Sequence, residues 1–244
     1  ARTVTDLAIM LDATVGADPM DPSTHVSVGR IPVSFRAALS ADALKGKRIG
    51  ALRNYFGTAP EDQEVTTIVN RALETMKQAG AEVIDVSIPG LDDLLLNSSL
   101  TNAEFKFALA DYLAGHSDAP VKSLGEILDR GLYHVALEVA LRTRNAVETR
   151  DSEDYRRAMI KRTALRQAVL AVLDEYRLSA MVYPTLRRKP ARIGEPQLGT
   201  NCQLSSNSGL PALGIPAGFT DDGVPVGMDM LGKDFGDADV LSMG

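Results

Sequence analysis

Residues 47–90 constrain the fold more than any other stretch. Lys47-Arg48-Ile49-Gly50-Ala51-Leu52 reads as a strand. Pro60-Glu61-Asp62 opens a helix, with an acidic first turn that suits the helix dipole. Val65, Ile68, Val69, Leu73 and Met76 keep helical spacing, and Gly80 ends the run. Val83-Ile84-Asp85-Val86-Ser87-Ile88, stopped by Pro89-Gly90, is a second strand. A strand, a helix and a strand at this length form a parallel pair with a right-handed crossover.

The flanking sequence extends this unit. Thr5-Asp6 followed by Leu7, Leu11 and Val15 predicts a short capped helix closed by Gly16. Gly16 to Pro32 carries Pro19, Pro22 and Pro32 and reads as an extended surface connection, with Asp18-Pro19-Met20-Asp21 as turn chemistry. From Leu91 to Tyr176 the pattern is helical. Its last helix opens at Asp151-Ser152 and puts Tyr155, Met159, Leu165, Val169, Val172 and Tyr176 on one stripe. Further strands are expected at 180–183, 213–216 and 226–231, the last two joined by a turn at Asp221-Asp222-Gly223. Together with strands at about 48–53 and 82–88 they predict one mixed, mostly parallel α/β sheet with helices on its faces.

Composition narrows the function classes. With 244 residues, 45% of them apolar, the chain is long enough to bury a core without staples. Its longest apolar stretch, Ala164 to Leu173, is interrupted by Arg166 and Gln167, so the sequence implies no membrane span. A net charge of −6 argues against a nucleic-acid partner, which requires clustered Lys and Arg. The single cysteine, Cys202, forms no internal disulfide and points to a reducing compartment, the cytoplasm. Ala1-Arg2-Thr3-Val4-Thr5-Asp6 has no signal-peptide pattern, and the absent initiator Met points to a processed or trimmed chain.

Chemistry is harder to find. Gly115-His116-Ser117-Asp118-Ala119 looks like a nucleophile elbow, but an elbow needs a strand before its Ser. Here Phe105 to Leu113 is helical, and Gly115 reads as a helix C-cap. Ser205-Ser206-Asn207-Ser208-Gly209 offers further hydroxyls without a visible base, and a Ser/Gly-rich loop between strands is the plainer reading. One Cys and three scattered His give no zinc spacing, and no Gly run opens a phosphate cradle. Arg187-Arg188-Lys189 with Arg192 is either an anion-recognition cluster or a solvated surface loop.

Three segments resemble the amidase-signature family. The first is Ala1 to Ala8 with Leu11-Asp12 and Gly16-Ala17-Asp18-Pro19-Met20-Asp21-Pro22. The second is Leu178 to Thr185, a strand ending in Pro-Thr. The third and most specific is Asn207-Ser208-Gly209-Leu210-Pro211-Ala212 with Ile215-Pro216-Ala217-Gly218-Phe219 and Val224-Pro225-Val226-Gly227. The match spans nearly the whole chain and is loose in its middle third.

The resemblance implies an α/β/α sandwich, incomplete in this chain, with residues 1–244 as the carboxyl-terminal portion of one domain. Family enzymes hydrolyse carboxamides with a Ser nucleophile, a second Ser in a cis peptide and a Lys, without a cofactor. Those residues lie in and before a Gly/Ser-rich signature, and nothing like Gly-Gly-Ser-Ser-Gly occurs here. No residue of this chain therefore inherits a catalytic role, and the segment alone is expected to be inactive. The implied partners are a small amide substrate and an amino-terminal segment of the same enzyme, and a homo-oligomer is compatible with both. The pocket border falls on Arg187, Asn201, Cys202, Ser205 and Asn207. A rival within the superfamily is the glutaminase component of tRNA-dependent amidotransferases, which carries an Arg-Tyr-Asp-containing motif where this chain reads Glu104 to Leu113. That departure favours a free-standing amidase. A non-catalytic scaffold built from a half-fold is the rival from another class.

Overall fold

The computed structural model describes all 244 residues. Five strands form one mixed sheet: β1 (Arg48–Leu52), β2 (Glu82–Val86), β3 (Ala180–Pro184), β4 (Ala212–Phe219) and β5 (Pro225–Leu231), in the order β2-β1-β3-β5-β4. All five expected strands are present and share that sheet. β1 pairs in parallel with β2 and β3, whereas β5 runs antiparallel to β3 and β4. The parallel and antiparallel pairings are therefore balanced.

Nine α-helices accompany the sheet: α1 (Val4–Thr14), α2 (Gln63–Gln78), α3 (Leu91–Leu95), α4 (Thr101–Ala114), α5 (Leu124–Asp129), α6 (Glu138–Asn145), α7 (Glu153–Glu175), α8 (Gln203–Ser208) and α9 (Asp237–Met243). No helix is long and apolar enough to cross a membrane. The chain forms two compact units, one of residues 1–91 with 166–244 and one of residues 92–165.

In the first unit α2 packs on β2, β3, β4 and β5. Its buried residues are Val65, Ile68, Val69, Leu73 and Met76, the stripe expected from helical spacing. β3 is buried at every position, as a central strand covered on both faces must be. β4 is an edge strand with alternating fates. Leu213 and Ile215 are buried on the side where α9 packs, and Ala212, Gly214 and Pro216 are exposed on the other.

Several local expectations shift in position. Thr3, not Thr5 or Asp6, caps α1: its hydroxyl accepts from the Asp6 amide at 3.0 Å. Asp18 and Asp21 make the expected turn, accepting from the amides of Met20 and Ser23. Gly115 is the C-cap of α4, so Ser117 follows a helix end and no elbow forms. The serine cluster is not a loop. It forms α8, closed by Gly209 at φ 65°. The stripe on α7 is rotated in its first half. Ala158 is buried in place of Met159, and Tyr176 is exposed beyond the last turn. Ala158 lies seven residues before Leu165 and so shares its face, whereas Met159 is turned about 100° away.

The second unit has a small core of Leu124, Leu128 and Leu141 with Phe105, Leu109 and Tyr133 packed against it. Lysines close its helix ends. Lys106 donates to the carbonyls of Asn145 and Val147, Lys122 to those of His116 and Ser117, and Lys161 to those of Asp93 and Leu96. Carbonyls left over at helix C-termini need such donors.

Two substitutions test the packing. Leu173→Ala on α7 removes a fully buried side chain and is expected to cost about 2–5 kcal/mol, read as a lowered urea midpoint at unchanged slope. At Gly57 an added Cβ would overlap the Asp62 side chain. Gly57→Ala should therefore lose about 1–3 kcal/mol by overpacking, although no left-handed backbone is involved. Wild-type midpoints in both variants would show that these positions are looser than the packing implies.

Candidate functional site

Because β1 and β3 are parallel, their carboxyl ends emerge at the same edge of the sheet. In open α/β sheets that edge is where ligands bind, since the loops there diverge and leave a crevice. Tyr55 follows β1, and Thr185 follows β3. The loop after Thr185 doubles back on itself. Leu186 bridges Thr200, the Arg187 amide donates to the Gly199 carbonyl at 2.7 Å, and the Asn201 amide donates to the Thr185 carbonyl at 3.1 Å. This closure brings Arg187 to the start of α8.

Asn201 fastens the arrangement. It is 2% exposed, and its Nδ2 donates to the Tyr55 carbonyl at 3.1 Å and the Pro184 carbonyl at 2.7 Å. Both amide protons thus satisfy carbonyls stranded where β1 and β3 have ended. Cys202 is exposed, Ser205 is half-buried, and Asn207 is buried within α8. Arg166 holds the far end of α8: its Nη1 donates to the carbonyls of Ser208 and Gly209, and its Nη2 pairs with Asp234.

The basic cluster divides. Arg188 Nη2 lies 2.8 Å from Asp62 Oδ1, an ion pair by proximity but out of line for a hydrogen bond. Lys189 Nζ lies 2.9 Å from both Glu64 and Asp222. These pairs raise the Lys189 pKa, the Asp222 hydrogen bond first. Arg192 is exposed. Arg187 is half-buried, with its Nε inside the protein and no acceptor for it. Of the three arginines considered as anion contacts, Arg188 is already paired and Arg187 is the half-buried cation without a counter-charge.

A polar group that sequence reasoning missed lies on the sheet itself. Tyr183 is fully buried, and its ring meets that of Tyr55 edge-on with centroids 5.1 Å apart. Burial pushes its phenol far up, with the charge of Asp229 adding to the effect and Ser205 opposing it. Asp229 is the cross-strand partner of Tyr183, and its Oδ1 accepts from Thr185 Oγ1 at 2.6 Å. Burial also raises the Asp229 carboxyl above the ordinary range, and the Thr185 bond only partly offsets it. One sequence signal was available: Asp229 is the only charged residue in the apolar strand Val226 to Leu231.

Beside Thr185 a cavity of about 130 Å³ is lined by Val65, Leu186, Pro190, Val224 and Val226. The hydroxyls of Ser206 and Ser208 donate to carbonyls of their own helix region. No histidine or lysine is hydrogen-bonded to the hydroxyl of Ser117, Ser205 or Ser208, so none of the three is paired with a base. The arrangement can orient a ligand and exclude water from part of it.

The sequence pattern of the family described as Amidase matches residues 1–241. The A component of the glutamyl-tRNA(Gln) amidotransferase from Moorella thermoacetica is 31% identical, over 98% of this chain and 51% of that protein. The native peptide amidase of Stenotrophomonas maltophilia superposes with a TM-score of 0.83 at 28% identity, covering 100% of this chain and 50% of that one. An amidase family protein from Bacillus anthracis superposes with a TM-score of 0.78 at 25% identity, over 100% of this chain and 46% of that one. The chain spans about half the length of the curated relatives it matches. Family pattern, relatives and architecture agree: this chain belongs to the amidase family, the amidase-signature enzymes.

Proposed function

We propose that this chain is the scaffold and pocket-forming part of an enzyme that hydrolyses a carboxamide C–N bond. The carrying observation is the polar cluster at the carboxyl ends of β1 and β3, in a chain whose residues 1–241 match the amidase pattern. Arg187, Asn201, Cys202, Ser205 and Asn207 border the substrate pocket in this reading. Asn201 fixes the pocket wall, and Arg187 is the contact for an anionic substituent. The Ser-cisSer-Lys machinery belongs to a second segment, in keeping with relatives about twice as long. There the Lys would deprotonate the second Ser, which relays the proton demand to the nucleophile. The exposed apolar side chains Met20, Val33, Ile193 and Phe219 suit a chain that meets such a segment.

A second reading is favoured by the curated relatives named as glutamyl-tRNA(Gln) amidotransferase components. It differs in substrate: glutamine would supply ammonia to a partner enzyme.

Ammonia release from a simple carboxamide and from glutamine tests both readings. Purified 1–244 alone should give no turnover above the uncatalysed rate and no stoichiometric fluorophosphonate adduct on Ser117, Ser205, Ser206 or Ser208. Adding the amino-terminal half of the Stenotrophomonas peptide amidase should produce turnover where the halves dock. Turnover or a serine adduct with 1–244 alone would overturn the two-segment proposal.

A further inference from the structure

Asp229 is a buried carboxylate without a counter-charge. It is 8% exposed, and Oδ1 is engaged by Thr185. It takes part in none of the ion pairs of the structure, and burial raises its proton affinity while the Thr185 hydroxyl opposes the rise. Its neighbour Tyr183 is also buried, with the Ser205 side chain beside its hydroxyl. A buried carboxylate with no positive partner either takes up a proton or is held in its charged form by a cation bound beside it.

Space for that partner exists on the adjoining strand. Gly214 of β4 is paired with Asp229 and is exposed. A Cβ placed on Gly214 would meet a single neighbouring atom within 4 Å, Asp229 Oδ1, at 3.7 Å. Ala212 and Pro216, on the same face of β4, are exposed and small. The carboxylate therefore stands at the edge of a shelf free of large side chains.

We propose that Asp229 recognises an ammonium group laid on the Gly214 shelf. The charge selects a cation, and the coordination selects its kind. Oδ1 is the oxygen that faces the Gly214 position and it already accepts from Thr185, so a single further acceptor site is presented to the shelf, whereas a guanidinium is held best by two oxygens. A divalent metal requires several oxygen or nitrogen ligands, and no group of three or more His, Cys, Asp or Glu is placed to hold one. A primary ammonium needs one strong acceptor and has further protons for water. Where the chain acts on amides, the substrate class is an amide carrying a primary amine. That last step rests on the amide-hydrolase reading, and ammonium binding does not.

The test uses the chain labelled with carbonyl-¹³C aspartate, with benzylammonium and benzyl alcohol as probes. Benzylammonium should shift the Asp229 Cγ resonance saturably, and benzyl alcohol should not. Asp229→Asn keeps an acceptor for Thr185 but loses the charge, and should weaken benzylammonium binding by about tenfold or more. Gly214→Val fills the shelf in a backbone conformation open to any residue and should weaken binding comparably while the protein stays folded. Equal response to both probes, no saturation with either, or unchanged binding in both variants would overturn the site. Binding is read without turnover, so failure of the amide assay leaves this result standing and failure here leaves the amide assay standing.

Discussion

A single buried side-chain amide sets the geometry on which the candidate site depends. β1 and β3 stop at the same edge, and each leaves carbonyls that no further ladder can satisfy. Asn201 answers one from each side, at Tyr55 and at Pro184. Fixing Tyr55 places its ring against Tyr183, and fixing residue 201 brings the loop after β3 back beside its origin. Alanine there would leave two buried carbonyls unpaired, and aspartate would present oxygens to oxygens. The start of α8, and with it Cys202 and Ser205, is positioned by this one residue.

Charge pairing then decides which groups in the same loop remain available. Asp62 is buried at the start of α2 beneath a glycine with no room for a side chain, and Arg188 is drawn to it. Lys189 bridges Glu64 of the same helix and Asp222 of the β4–β5 turn. These contacts pin the loop to α2 and to the hairpin. Pairs as exposed as those of Lys189 contribute little individually, about 0–1 kcal/mol each, so their effect is on geometry more than on stability. Removing Arg188 would instead strand a buried carboxylate, which is the costly direction. What remains is Arg187, whose stem is held by the chain reversal while its charge has no protein partner.

The sheet was legible because its strands are apolar runs closed by Gly and Pro, and α2 because five apolar residues keep a 3.6-residue period. Short or composite helices were not. α8 has only Leu204 as a buried apolar side chain among hydroxyl and amide residues, and nothing in its composition distinguishes it from a loop until Gly209 is seen to close it. α7 has residues in both compact units, so no single stripe describes it. Of the residues assigned to a pocket border by resemblance, Arg187 and Asn201 lie on the chain reversal closed at Leu186 and Thr200, and Ser205 and Asn207 lie in α8, which follows it. The sheet-face group Tyr183, Thr185 and Asp229 was not legible, because its members are separated by about 45 residues and meet only through β3–β5 register.

That register explains why an acid can persist in an otherwise apolar strand. A one-residue slip of β5 would carry Asp229 to the opposite face, beside Leu213 and Ile215 of β4 and away from Thr185. In the observed pairing it faces Thr185 and the bare backbone of Gly214. The cost of burying the carboxylate without the Thr185 hydroxyl thus opposes a one-residue slip. The same alignment leaves β4 with one face sealed by side chains and the other stripped to Ala212, Gly214 and Pro216. A strand built this way holds the acid where a donor arriving from outside the sheet can reach it.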